Sequence, residues 1–304
     1  MTSEAAPRRG LPGLPERLAG ARVLVLDGAT GTELERRGAA ASLPLWSAQA
    51  LVRAPELVAA IHADYAAAGA DILTANTFRT QRRNLARGGW GGRARELTRV
   101  AVELARRAAH GLAVEREIHV VGSAPPLEDC YRPDLVPGDA ELRHEHAEHA
   151  ENLAEAGVDA ILVETMNSVR EAVAALRAAR ATGLPAFASF ACWDGARLLS
   201  GDPLRDALAA VLPEEPAAVL VNCLPPSNVS ACLPALRDSA RPFGVYPNLG
   251  APTDAAGLTR TEDCSPAAFA ELAEAWRAAG ASILGGCCGT TPAHIRTLAQ
   301  RLRS

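Results

Sequence analysis

Eight short apolar segments, separated by longer helix-like stretches, alternate along the chain and limit its fold more than any other feature. They are rich in Val, Ile, Leu and Ala on both faces, which is typical of strands buried in a parallel sheet. Eight strands that alternate with helices over 304 residues predict a single (β/α)8 barrel of the TIM type, an α/β fold. The predicted strands are Arg22–Ala29, Asp71–Thr77, His119–Pro126, Ala160–Met166, Ala186–Cys192, Ala218–Leu224, Phe243–Gly250 and Ser282–Cys288.

Ala-, Glu- and Arg-rich stretches between the strands are predicted helices, and three of them are followed by Gly69, Gly157 or Gly280. Glycine there can adopt the left-handed conformation that ends a helix. An open doubly wound sheet is the alternative fold, but Asp27–Thr32 lacks the glycine spacing of a dinucleotide-binding turn. No linker divides the chain, so we expect an N-terminal extension, residues 1–20, and one barrel domain, residues 21–304. The predicted helices include Pro55–Ala68, Arg93–His110, Asp139–Ala156, Val169–Arg180, Ser265–Ala279 and Pro292–Arg303.

The composition excludes several classes of function. A net charge of −4 gives no basic footprint for nucleic acid, and no apolar run reaches the roughly 18–20 residues that span a bilayer. All 31 basic residues are arginine, so Schiff-base and pyridoxal-phosphate chemistry, which need a lysine, are excluded. The seven cysteines argue against a disulfide framework, and residues 1–20 lack a signal-peptide apolar stretch. We expect a cytoplasmic protein; its oligomeric state is not indicated.

Three cysteines fall at the ends of two predicted strands. Cys223 ends the sixth strand, and the adjacent pair Cys287 and Cys288 ends the eighth, where flanking glycines permit a bend. Barrel active sites lie at the carboxyl ends of the strands, and alternate strands supply the same interior layer. The three thiols therefore predict a zinc site with an open fourth position. The alternatives are small buried hydrophobes and a strained disulfide between the adjacent pair.

Two carboxylates, Asp27 and Glu164, also lie at predicted strand ends and could together bind an ammonium group. Asp27 could instead cap a turn, whereas an unpaired buried carboxylate at position 164 would be costly without a function. The histidines of His144–His149 do not have the spacing of a zinc-binding HExxH motif, and we interpret them as a solvated helix face. The sequence assigns no role to Cys130, Cys192, Cys232 and Cys264.

Several of these segments, in order from about residue 22 to 298, resemble the motifs of the homocysteine S-methyltransferase family. The segment Gly285–Ile295 is similar to the C-terminal zinc motif of that family. Asp27–Leu34 resembles its N-terminal motif. Further matching segments are Ala67–Phe78, Val163–Thr165, Val221–Cys223 and Val245–Asn248.

The resemblance implies a (β/α)8 barrel that holds Zn²⁺ on its three strand-end cysteines. It also implies that Asp27 and Glu164 hold the amino group of homocysteine, while the backbone around Gly28 and Ala29 contacts its carboxylate, with Thr77 as a further candidate. One segment departs from the family pattern: Ala124–Asp134, after the third strand, replaces a Gly-Pro-rich stretch and could border the methyl donor.

The implied reaction is methyl transfer to the zinc-bound thiol of homocysteine, which gives methionine. Because the thiol loses its proton on binding, no catalytic residue beyond the substrate thiolate is required. Family members of this single-domain size resemble users of S-methylmethionine or S-adenosylmethionine, so a sulfonium donor is expected, S-methylmethionine first. A non-catalytic zinc–thiolate sensor, or the same chemistry on another thiol or selenol, remains the alternative.

Overall fold

Eight parallel strands form a closed barrel in the computed structural model, which describes residues 13–18, 20, 22–39, 42–111, 116–249 and 264–303. The strands follow the order β1-β8-β7-β6-β5-β4-β3-β2. A parallel bridge between Leu26, next to β1, and Ile72 of β2 joins the two ends of this order and closes the ring. The predicted barrel is therefore confirmed, and the open sheet is excluded. The strands are β1 (Leu24–Val25), β2 (Ile72–Ala75), β3 (His119–Ala124), β4 (Ala160–Met166), β5 (Ala186–Phe190), β6 (Ala218–Asn222), β7 (Phe243–Tyr246) and β8 (Ile283–Leu284).

The helices surround the sheet, and all six predicted ones are present. Gly69, Gly157 and Gly280 have φ values of 111°, 83° and 106°, so each adopts the left-handed conformation expected of a helix terminator. None of the helices in the described ranges has the length and apolar character needed to cross a bilayer. The helices are α1 (Leu14–Leu18), α2 (Gly31–Arg36), α3 (Ala50–Arg53), α4 (Pro55–Ala68), α5 (Arg82–Arg87), α6 (Ala94–Gly111), α7 (Asp139–Glu155), α8 (Val169–Ala181), α9 (Leu204–Val211), α10 (Pro226–Asp238), α11 (Pro266–Ala278) and α12 (Pro292–Arg303).

Seven of the eight regular strands are shorter than predicted, mainly at their carboxyl ends, whereas β4 has the predicted bounds. The eighth strand ends at Leu284, so Gly285–Cys288 leaves the sheet and turns towards the barrel axis. Gly250, the last residue of the predicted seventh strand, lies outside the described residues. The apolar pattern predicts where a strand lies, but it does not show where the chain leaves the sheet to build a site.

The amino end of the barrel is closed by α1, which belongs to the segment predicted as an N-terminal extension. Leu14 and Leu18 join the apolar cluster inside the barrel. Arg17 donates to the carbonyl of Glu117 and pairs with buried Asp71 at 3.2 Å; these two partners precede β3 and β2. The opposite, carboxyl end of the barrel is therefore the one that can hold a site.

Tight packing between strands gives a first prediction. Gly244 of β7 lies between Leu220 of β6 and Ile283 of β8, and a Cβ there would lie 2.7 Å from a side-chain carbon of each. We expect Gly244→Ala to lower the free energy of unfolding by about 2 kcal/mol because overpacking forces neighbouring strands apart. Gly92→Ala is the matched control, since a Cβ there meets nothing within 4 Å. Equal urea midpoints for the two variants would contradict this account.

Candidate metal centre and substrate pocket

A cavity of about 400 Å³ opens at the carboxyl ends of the strands. It collects nearly all of the site residues that the sequence identifies, although they are spread over 262 positions, from 27 to 288. Asp27, Gly28 and Ala29 follow β1, Glu164 lies in β4, and the cysteines follow β6 and β8. The residues brought together are Asp27, Gly28, Ala29, Glu164, Cys223, Cys287 and Cys288.

The three cysteine sulfurs form a cluster in which all Sγ atoms lie within 4.8 Å of one another. The Sγ atoms of Cys223 and Cys287 are 2.9 Å apart. Cys223 has a φ of 52°, a left-handed conformation that turns the chain immediately after β6. After β8 the turn requires Gly286, because a Cβ there would lie 2.4 Å from the side chain of Thr290. The two strand ends thus bend so that thiols from non-adjacent strands meet.

The donor set fits one thiophilic metal ion. Four tetrahedral Zn–S bonds of about 2.3 Å would place sulfurs about 3.8 Å apart, a spacing that a cluster of this size can adopt. Contacts with Cys287 and Cys288, together with burial, raise the pKa of the Cys223 thiol well above its usual range. Without a cation, the Cys223 thiol therefore holds its proton, and a divalent ion is what would let it ionise.

Asp27 is buried at the end of β1, with only 2% of its surface exposed. Its carboxylate accepts hydrogen bonds from the backbone N–H of Thr74 at 2.8 Å and from the Thr74 hydroxyl at 3.0 Å. Burial nevertheless raises its pKa to about 8, because these bonds replace only part of the lost hydration. Asp27 forms no ion pair with any residue in the described ranges, so a bound cation could provide its counter-charge.

Glu164 is the second buried carboxyl group of the cavity. It accepts hydrogen bonds from the hydroxyl groups of Ser123 and Tyr246, the latter at 3.2 Å. Burial raises its pKa to about 7 in spite of these two donors. Glu164, like Asp27, has no basic partner among the residues that the structure describes. The two carboxyl groups line the same cavity, and the charge of Glu164 contributes to the raised pKa of Asp27.

Thr77 is the one predicted substrate contact that the structure does not bring into the cavity. Its side chain is fully buried, and its hydroxyl donates to the carbonyl of Ser123 at 2.9 Å and accepts from the Ser123 N–H at 2.8 Å. Thr77 thus fixes the backbone of the residue whose own hydroxyl holds Glu164. Thr77 therefore contacts Ser123, which lines the cavity, and does not line the cavity itself.

The prediction of a solvated helix face for the α7 histidines is wrong for two of the three. His146 and His149 are 3% and 2% exposed, whereas His144 is exposed. His149 contacts the carbonyl of Ser123 at 3.0 Å, and burial lowers its pKa to about 4, so it is neutral at pH 7. The signal was the spacing of residues 142, 146, 149 and 153, which places both histidines between two leucines on one helix face.

The turn after β1 brings backbone into the cavity. A Cβ at Gly28 would lie 2.7 Å from the Thr290 hydroxyl and 2.8 Å from the Tyr65 hydroxyl, so only glycine fits. The N–H of Ala29 donates to the Thr290 hydroxyl at 3.2 Å, and the Tyr65 hydroxyl donates to the Ala29 carbonyl at 2.9 Å. Tyr65 and Thr290 could not be predicted as site residues from the sequence, because their role depends on contacts between distant parts of the chain.

The segment Ala124–Asp134, which begins at the last residue of β3, borders the cavity. Cys130 and Tyr131 line it, and the Tyr131 ring packs edge-on against Trp193 with centroids 5.9 Å apart. Trp193 in turn donates its indole N–H to the carbonyl of Cys223 at 3.0 Å. The loop is thereby coupled to the backbone of a cysteine in the cluster. Three further cysteines, Cys192, Cys232 and Cys264, do not line the cavity.

Comparison with known proteins agrees with this geometry. A family model described as homocysteine S-methyltransferase matches residues 24–302. The chain is 38% identical to homocysteine S-methyltransferase of Escherichia coli, covering 92% of this chain and 95% of that protein. It is 32% identical to selenocysteine Se-methyltransferase of Brassica oleracea var. italica, covering 92% and 89% of the two chains.

Solved structures of other proteins are also similar to this chain. The metallated form of the homocysteine methyltransferase MmuM from Escherichia coli superposes with a TM-score of 0.83 at 33% identity, covering 94% of this chain and 99% of that one. A 3-dehydroquinate dehydratase from Geobacillus kaustophilus, at 14% identity and a TM-score of 0.53, shares the fold alone. The matched range contains all three clustered cysteines and both buried carboxyl groups, and the chain belongs to the homocysteine S-methyltransferase family.

Proposed function

We propose that the protein transfers a methyl group from a sulfonium donor to the thiol of homocysteine and so forms methionine. One observation carries the proposal: the three-cysteine cluster and two unpaired buried carboxyl groups share one cavity. The cluster suits a sulfur ligand, and the carboxyl groups suit an ammonium group. Homocysteine carries both groups, and family membership and the names of the E. coli relatives support this acceptor.

Asp27 and Glu164 bind the amino group of homocysteine in this proposal. A neighbouring ammonium favours the charged form of each carboxyl group, so binding lowers both pKa values and both groups ionise at neutral pH. The backbone of Gly28 and Ala29 contacts the carboxylate of homocysteine. Thr77 contributes through Ser123, whose hydroxyl orients Glu164.

Cys223, Cys287 and Cys288 would hold a zinc ion, and three thiolate ligands leave its fourth position for the substrate. When bound there, zinc would lower the pKa of the homocysteine thiol, so the protein needs no general base. The chain's own part is to place this sulfur near the donor and to keep water away from the two reactants.

The transfer itself removes two opposite charges. The sulfur of homocysteine forms a bond to the methyl carbon while the bond between that carbon and the donor sulfonium breaks, and the donor leaves as a neutral thioether. Thiolate and sulfonium thus become two thioethers. A buried cavity favours this step over bulk water, because water stabilises the separated charges of the reactants more than the neutral products.

The smaller sulfonium, S-methylmethionine, is the donor we propose first. The described part of the cavity, about 400 Å³, lies at the small end of the range for ligand sites, and it must hold homocysteine as well. A selenol acceptor is a second candidate, favoured by the similarity to the Brassica selenocysteine Se-methyltransferase. We also propose that residues 21–304 act as one domain and that the protein works in the cytoplasm, a reducing compartment that keeps the three thiols free.

The test is to incubate zinc-loaded protein with homocysteine and one methyl-deuterated donor at a time. The donors are S-methylmethionine, S-adenosylmethionine, betaine and methyl-folate. Mass spectrometry would follow the label into methionine. We expect labelled methionine from S-methylmethionine and, more slowly, from S-adenosylmethionine. No labelled methionine from any donor, with zinc bound, would contradict the proposal and favour the sensor or another acceptor; selenocysteine in place of homocysteine tests the latter.

A further inference from the structure

Arg79 is a buried cation that the chemistry above does not use. It lies four residues beyond the end of β2, lines the cavity, and is only 8% exposed. Its guanidinium group lies over the ring of Phe78, with 5.4 Å between Cζ and the ring centroid, and Nη1 donates to Oδ1 of Asn84 at 3.0 Å. The ring and the amide are both neutral, so neither balances its charge.

The Nε atom of Arg79 is buried and has no hydrogen-bond partner. Among the described residues, Arg79 forms no ion pair either, although this chain pairs most of its other buried or half-buried arginines; Arg17 with Asp71 at 3.2 Å is an example. A buried guanidinium without an anion is costly, and leaving one N–H unsatisfied adds to the cost. Such an arrangement is maintained where a ligand supplies the missing anion.

The carboxylate of homocysteine already has a proposed partner elsewhere in the cavity, the backbone of Gly28 and Ala29. Those two residues follow β1, whereas Arg79 lies in the loop that follows β2. The Phe78 ring beneath Arg79 packs edge-on against Trp46, with ring centroids 6.2 Å apart, and all three residues line the cavity. The carboxylate of the methyl donor, the second substrate, is therefore the anion left for Arg79.

We propose that Arg79 binds the carboxylate of the methyl donor and so selects sulfonium donors that carry a carboxylate. A guanidinium fork and a carboxylate match in geometry, and the anion would balance the positive charge that no described residue balances. This inference rests on the proposed function, since it assigns one residue to the donor of that reaction. Arg79 is a specificity residue: it contacts the donor at its carboxylate, away from the methyl group that is transferred.

The first arm of the test needs no mutation. Wild-type zinc-loaded protein is supplied with S-methylmethionine or with its decarboxylated counterpart, a dimethylsulfonium that keeps the amine and lacks the carboxylate. We expect kcat/KM for the carboxylate-free donor to be about 10- to 100-fold lower. Isothermal titration calorimetry of each donor, without homocysteine, should show the same difference in Kd.

The second arm removes the cation. Arg79→Gln should lose about 10- to 100-fold in kcat/KM with S-methylmethionine, change little with the carboxylate-free donor, and keep the KM for homocysteine within about twofold. Arg79→Lys should recover part of the loss. Arg82→Gln, the same change on the exposed face of α5 where Arg82 pairs with Glu148, is the matched control and should behave as wild type.

Three results would overturn the assignment. They are equal use of both donors by the wild type, an equal loss on both donors in Arg79→Gln, and a rise in KM for homocysteine, which would place Arg79 on the acceptor. Each of these leaves methyl transfer itself intact. If the wild type forms methionine from no donor, the proposed function fails instead, and the calorimetric comparison of the two donors still decides the role of Arg79.

Discussion

Replacing Cys288 with serine is expected to lower zinc affinity at least about 100-fold and to reduce methionine formation to background. Loss of an outer-shell partner alone typically costs 10- to 100-fold in metal affinity, and here a ligand itself is removed. A serine hydroxyl remains protonated at neutral pH and is a poor zinc ligand, so only Cys223 and Cys287 would remain as protein thiolates. Metal content after dialysis, measured by mass spectrometry, and the deuterated-methyl assay would test both parts.

Cys264→Ser is the matched control, because it makes the same chemical change at a half-exposed cysteine that does not line the cavity. It should keep about one zinc per chain and full activity. A Cys288→Ser protein that holds zinc as tightly as wild type would remove this cysteine from the ligand set. Circular dichroism of both variants would show whether the barrel itself is preserved.

The fold could be predicted from the sequence because the evidence for it is local. Each buried strand is an apolar run, and glycines such as Gly69 end the helices that connect them. The ends of the strands could not be located in this way. Gly285–Cys288 continues the apolar run of β8, yet Thr290 fills the space beside Gly286 and forces a turn. That contact joins residues whose interaction no periodic pattern records.

The residues that meet in the cavity could be predicted where chemistry and strand position coincide. Cys223 and Glu164 both occur at the carboxyl ends of predicted strands, which in a barrel converge on one end. The prediction was wrong for His149: its spacing with two leucines on one face of α7 indicates burial, and only its partner, the carbonyl of Ser123, is a backbone atom that no side-chain pattern reveals. It also missed Arg79, because a charged residue in a loop is normally exposed and only tertiary packing shows that this one is buried.

Replacing Glu164 with glutamine is expected to raise the KM for homocysteine about 100-fold while zinc content stays unchanged. The substitution removes the carboxylate that pairs with the substrate ammonium, and removing one partner of a buried charge pair typically costs about 2–5 kcal/mol of binding free energy. Glutamine keeps the shape, and the hydroxyl groups of Ser123 and Tyr246 can rotate to meet its amide. Glu151→Gln, on the exposed face of α7, is the control for a general change of charge.

The same substitution is expected to stabilise the substrate-free protein above pH 7. Burial raises the pKa of Glu164 from 4.5 to about 7, so the folded protein holds this proton more tightly than the unfolded chain. Its contribution to stability is therefore complete below pH 4.5 and is lost as the pH rises to 7, a change on the order of 3 kcal/mol. Glutamine does not titrate, so the variant escapes this loss.

Thermal unfolding of the zinc-loaded proteins between pH 5 and 8 would measure the effect. The melting temperature of Glu164→Gln minus that of wild type should rise by several degrees across this range. The charge of Glu164 also raises the pKa of Asp27, so its removal changes the titration of Asp27 in the same direction and adds to the rise. Homocysteine should reverse the order at pH 8, because its ammonium stabilises the ionised Glu164 of wild type only. A melting-temperature difference that does not change with pH would contradict this account. It would mean that Glu164 is already ionised in the substrate-free protein and paired with a cationic group of the protein.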